Sequence, residues 1–62
     1  MSEMESFIQS VERFIVARQW TATRFGREMM NDPRFVFQLR TGREPRSTVR
    51  QRVLKKMHEA AS

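Results

Sequence analysis

Cysteine is absent from this chain and histidine occurs once. A disulfide framework is therefore excluded, and a usual zinc site lacks ligands. No metal or other cofactor is expected. Glycine and proline number two each, and β-branched residues never fall into alternating runs, which predicts an all-α chain. The start, MSEMESF, is acidic and lacks the basic residues and apolar run of a signal peptide. No apolar run approaches the roughly 20 residues of a membrane span. A membrane partner is not expected, and a cysteine-free chain suits a reducing cytoplasm. Catalytic material is equally thin. His58 stands alone, no pair of carboxylates has active-site spacing, and no glycine-rich loop could cradle a phosphate. The 62 residues make a single domain, with a core near the lower limit for independent stability and no room for a deep pocket. Neither an enzyme nor a small-molecule substrate is expected.

Arginine is plentiful. Residues 1–12 hold Glu3, Glu5 and Glu12 and no base, a charge of −3. Residues 13–62 hold all 12 Lys and Arg against Glu28, Asp32, Glu44 and Glu59, a charge of +8, and the two parts give the net +5. Ten of the 12 bases are arginine, whose planar fork binds two acceptors at once and suits phosphate and guanine. A polyanionic partner follows, nucleic acid first.

The spacing of apolar residues predicts short helices. Met4, Phe7, Ile8, Val11, Phe14 and Ile15 form one stripe of a first helix over residues 3–18. Glu3 and Glu5 in its first turn and Arg18 in its last suit the helix dipole. Val16 falls off the stripe, as an exposed residue or a subunit contact. A second helix opens at Thr21, a good N-cap. Trp20 before the cap and Phe25 after it have the spacing of a hydrophobic staple. The chain then turns at Met30-Asn31-Asp32-Pro33. Asn31 tolerates the left-handed conformation of a helix exit, Asp32 can cap the next helix, and Pro33 suits its first position. The third helix, residues 34–41, stops at Gly42. Phe25 and Met29, then Val36 and Leu39, face the core, and small Gly26 allows a close crossing. Phe35 is expected against the first or fourth helix. The fourth helix is expected to start at Thr48, with Gln51 completing a capping box. Its stripe is Val49, Val53, Leu54 and Met57, with Arg50, Arg52, Lys55 and Lys56 in water.

The segment from Thr21 to Met57 resembles the lambda-repressor-like, Cro-type helix-turn-helix family. The likeness rests on Thr21 opening the second helix, Gly26 at the crossing, Val36 and Leu39 as core positions of the recognition helix, and the run G-R-E-P-R from Gly42 to Arg46. The family has glycine at the corner, where this chain has Met30-Asn31. The resemblance implies a compact all-α domain of four or five helices over residues 1–62, with the helix-turn-helix at 21–41. It also implies a bacterial or phage transcriptional regulator. With no effector domain in view, repression by operator occupancy is the simplest form, in the cytoplasm and on the nucleoid when bound.

Arg34, Gln38 and Thr41, at i, i+4 and i+7, share the outward face of the third helix with neighbouring Phe37. On a recognition helix of residues 33–41 in the major groove, these four are the expected base contacts: Arg34 for guanine O6 and N7, Gln38 for adenine N6 and N7, Phe37 for a thymine methyl. Thr21, Thr23 and Arg24 surround the N-terminus of the second helix, and Arg43 and Arg46 flank the recognition helix. These five are the expected phosphate contacts. Glu44, among them, is expected to turn toward Arg40 or Arg46. A homodimer on double-stranded DNA is expected, because one short helix reads few bases and a two-fold site doubles the reading. RNA polymerase or another regulator is a further expected partner. The alternative is a small adaptor that docks a protein through the Phe37 face and the fourth helix.

Overall fold

The computed structural model describes residues 3–61, with side chains from Ser6 onward. Four helices follow in order: α1 (Glu3–Arg18), α2 (Ala22–Met30), α3 (Phe35–Arg40) and α4 (Ser47–Ala61). No strand occurs among the described residues. No helix among them is long and apolar enough to cross a membrane. The side chains of Glu3, Met4 and Glu5 lie outside the described residues.

Each helix gives one fully enclosed side chain to a common core: Val11, Phe25, Val36 and Val53. Phe7, Ile15, Met29, Phe35, Leu39 and Met57 complete it, and burial of such side chains stabilises by roughly 1.5–3 kcal/mol each. The α1 stripe is therefore as its spacing predicts, with Ile8 and Phe14 at the margin and Val16 in solvent at 76% exposure. Phe35 chooses α1, meeting Phe7 edge-on at 6.5 Å between ring centroids. Leu54 corrects the predicted α4 stripe: it is 43% exposed. Val49, Val53 and Met57 already fill the arc that faces the core, and Leu54 falls beside it.

Three helices leave through a left-handed residue, and each exit re-uses carbonyls that the helix cannot satisfy. After α1, Gln19 takes φ 57°, and the N–H groups of Gln19 and Trp20 donate to Val16 and Ile15 at 3.2 and 3.0 Å. After α2, Asn31 takes φ 53°, as expected, and Asn31 and Asp32 donate to Arg27 and Gly26 at 3.1 and 3.0 Å. After α3, Gly42 takes φ 98°, and Gly42 and Arg43 donate to Leu39 and Gln38 at 3.0 and 3.2 Å.

The entrances agree with expectation once and differ twice. Thr21 caps α2 and accepts from the Arg24 N–H at 3.0 Å. The predicted staple of Trp20 and Phe25 is bridged by Phe14, which stands edge-on to both rings at 5.3 and 5.6 Å. α3 begins at Phe35, later than the predicted residue 34. The Phe35 N–H donates to the Asp32 carbonyl at 3.2 Å, and Arg34 has φ −94° and ψ −3°. Those values describe the third residue of a type I turn over residues 32–35, whose second position suits proline's fixed φ. Asp32 caps this turn, accepting from the Arg34 N–H at 3.0 Å, and does not cap the helix. α4 begins at Ser47, so Thr48 lies inside the first turn and not at the expected capping position. Arg46 takes the cap's backbone role, accepting from the Arg50 N–H at 3.0 Å.

Polar ties close the rim. The Arg40 guanidinium grips the Glu12 carboxylate with two hydrogen bonds, of 2.9 and 2.8 Å, joining α3 to α1. The Lys56 ammonium donates to the Met29 carbonyl at 3.0 Å, and Arg18 donates to the Ala60 carbonyl. Both put a cation on the electronegative end of a helix. Arg50 donates to the Pro45 carbonyl at 2.8 Å. Arg50 is half-buried, where its place off the apolar stripe put it in water, while Lys56 stays exposed as expected and still ties α4 to α2.

Candidate nucleic-acid interface

α3 is six residues long, about 9 Å at 1.5 Å per residue. Phe35, Val36 and Leu39 turn one side of it into the core. Successive residues advance by about 100°, so the opposite arc holds Arg34, Phe37 and Thr41. Gln38 flanks that arc on one side and Arg40 on the other. All but Gln38 are exposed, and Gln38 is half-buried. The predicted outward set is therefore together on one face, although Arg34 and Thr41 stand at the two caps of α3.

Their polar groups are committed unequally. The Thr41 hydroxyl donates to the Gln38 carbonyl at 2.7 Å, which leaves it as an acceptor for any ligand. Among the described residues, the side chains of Arg34 and Gln38 carry no internal hydrogen bond. Phe37 is 47% exposed and lies under the Arg40 guanidinium at 5.7 Å. Arg40 departs from expectation: its partner is Glu12 on α1, and Glu44 stays exposed without it. The Arg40 hydrogen bonds hold the Glu12 carboxyl below its ordinary value of 4.5 against a smaller desolvation effect, and they raise the Arg40 guanidinium in turn.

Gln38 reaches into a groove of about 490 Å³ between α3 and the loop to α4. Arg43 and Arg46 line the same groove together with the acidic Asp32 and Glu44, over apolar Met30, Leu39, Pro45 and Val49. This brings one expected base contact beside two expected phosphate contacts. The groove's apolar wall had no signal in sequence, because it joins residues from α2, α3, the loop and α4. Thr21, Thr23 and Arg24 form a separate group. They sit at the end of α2 remote from the corner, nine residues and about 13 Å away. The Arg24 guanidinium rests on the Trp20 ring at 4.5 Å, and α2 has no acidic residue in its first turn. Among the described residues, no carboxylate pairs with Arg24, Arg34, Arg43 or Arg46. No cluster of three metal-binding side chains occurs among the described residues. No family model, curated protein or solved structure matches the chain.

Proposed function

We propose that the chain binds double-stranded DNA in a sequence-specific manner, with α2 and α3 as a lambda-repressor-like helix-turn-helix and α3 in the major groove. One observation carries the reading. The outer arc of α3 offers Arg34 and Gln38, whose side chains are uncommitted among the described residues, and Arg43 and Arg46, unpaired among the same residues, line the groove with Gln38. An α-helix, about 10–12 Å across with its side chains, fits a major groove about 12 Å wide. Arg34 and Gln38 read bases, Thr41 accepts from a base donor, and Phe37 meets a thymine methyl at the edge of the arc. Arg43 and Arg46 hold one stretch of backbone, and Thr21, Thr23 and Arg24 hold another at the α2 N-terminus.

Occupancy of an operator by a homodimer is the regulatory form this supports, with two recognition helices about 34 Å apart. Leu54, exposed on α4, is the candidate contact between the DNA-bound copies. The exposed Phe37 and Leu54 also favour a second reading, a protein-docking module. Affinity for random duplex DNA at two salt concentrations separates the two. A DNA binder loses affinity steeply with salt as counterions are released. Little affinity at either concentration would leave only the docking module. Selection from a random duplex pool then gives the operator.

A further inference from the structure

Among the described residues, three guanidinium groups rest on aromatic rings: Arg18 on Phe14 at 5.2 Å, Arg24 on Trp20 at 4.5 Å and Arg40 on Phe37 at 5.7 Å. Two of them also spend N–H donors inside the chain. Arg18 donates to the Ala60 carbonyl, and Arg40 donates twice to Glu12. Arg24 differs. Its backbone N–H goes to Thr21, but among the described residues its guanidinium has only the ring.

That ring is anchored. Trp20 is half-buried, and its backbone N–H donates to the Ile15 carbonyl at 3.0 Å. The indole meets Phe14 edge-on, and Phe14 meets Phe25 edge-on in turn. Phe25 is fully enclosed in the core. A column of three rings thus runs from the core to the surface and ends beneath Arg24. The indole face attracts the cation. It fixes the guanidinium without using up the N–H donors, which lie in the plane of that group. Ordering a long side chain on binding costs affinity, and order supplied beforehand removes that cost.

On the DNA-binding reading, on which this inference rests, Arg24 contacts a phosphate. We propose that Trp20 is the positioning residue for that contact: its ring holds the Arg24 guanidinium where a phosphate oxygen of the duplex meets it. Trp20 touches no DNA itself and acts through Arg24 alone. Arg24 keeps its charge with or without the ring. Trp20 therefore sets the strength of the contact and leaves unchanged the number of phosphates neutralised.

Binding of the full chain to labelled random-sequence duplex, at several salt concentrations, tests this in parent, Trp20→Leu, Arg24→Lys, Arg24→Ala and the double variant Trp20→Leu/Arg24→Ala. Trp20→Leu should weaken binding about threefold to tenfold and leave the salt slope unchanged. Arg24→Lys should do the same, because an ammonium keeps the charge and lacks the flat fork. Arg24→Ala should weaken binding further and reduce the slope by about one. In the Arg24→Ala background, Trp20→Leu should have no further effect. A ring that served only the fold would weaken binding by the same factor in both backgrounds, and that result overturns the proposal. So does parent affinity in Trp20→Leu. Arg24 is exposed, so Arg24→Lys keeps the test alive if Trp20→Leu loses its helical circular dichroism, and parent affinity there also overturns the proposal. Trp20 is the single tryptophan, so its emission gives a second readout. Duplex should change that emission in the parent and not in Arg24→Ala. An equal change in both puts Trp20 itself on the DNA and overturns the positioning role. A chain that binds no duplex loses the DNA reading and this proposal together. A chain that binds duplex with independent effects of the two substitutions loses the proposal alone.

Discussion

Gln19 holds a conformation to which its side chain is poorly suited. An L-residue with a Cβ at φ 57° costs roughly 1–2 kcal/mol. The fold accepts this because the exit returns two N–H groups to the end of α1. Glycine removes the steric cost but loses more freedom on folding, so Gln19→Gly should stabilise the domain by a net 0.5–1 kcal/mol or so. For so short a chain that raises the melting temperature by a few degrees, and an unchanged or lower value would mean that the exit is not left-handed in solution. Gly26 should respond with the opposite sign. Alanine at a glycine inside a helix ordinarily gains about 1 kcal/mol. Here its Cβ would lie 2.2 Å from the Asp32 carbonyl oxygen, a backbone atom fixed by the corner. Gly26→Ala should therefore destabilise by about 1–3 kcal/mol, read by thermal melting beside Gln19→Gly. Added stability at Gly26 would place the corner elsewhere.

At the scale of elements, what sequence revealed depended on how local the cause was. The extent of α1 was legible because its stripe repeats for four turns, and the α2 entrance because Thr21 and its partner N–H are three residues apart. The α3 entrance was misplaced because Asp32-Pro33 serves two geometries, a cap with proline first in the helix or a type I turn, and neither residue alone decides. Lys56 on Met29 and Arg40 on Glu12 join residues 27 and 28 apart, so no local pattern announces them. The Arg40 tie makes a pH prediction. Glu12's folded carboxyl titrates below its ordinary 4.5, so its contribution is fully present above that value and is lost as pH falls through the folded value. Both side chains are over a third exposed, which limits the contribution to about 0.2–1 kcal/mol. Glu12→Gln should melt slightly lower than the parent at pH 7, and the gap should close at acid pH. A gap that persists there would assign the effect to packing. α3 itself is tested by its two proposed base readers. Arg34→Ala and Gln38→Ala should each cost about 1–3 kcal/mol on the selected site and relax one base position. If selection is unchanged by both while Thr41→Ala alters it, the helix enters the groove one residue out of the proposed register.

Across the whole molecule, charge separates into an acidic start and a basic remainder, and the ion pair of Glu12 and Arg40 joins them. That pair withdraws Arg40 from any DNA contact. In the proposed complex, phosphate binding falls to Arg24 at the far end of α2 and to Arg43 and Arg46 at the groove beside Gln38. Each phosphate neutralised contributes about −0.9 to the slope of log affinity against log salt. Three such arginines predict a slope of about −3 per bound copy on random duplex, before any added share from Arg34. Arg43→Ala and Arg46→Ala should each reduce that slope by about one and weaken all sequences alike, because a phosphate contact carries no base information. Arg52 and Lys55 are exposed on α4 and have the same charge, so Arg52→Ala and Lys55→Ala serve as the comparison. In the proposed arrangement they leave the slope nearly unchanged. Should they reduce it while Arg43→Ala and Arg46→Ala do not, duplex DNA meets α4, and the α3 face with its exposed phenylalanine belongs to a protein partner.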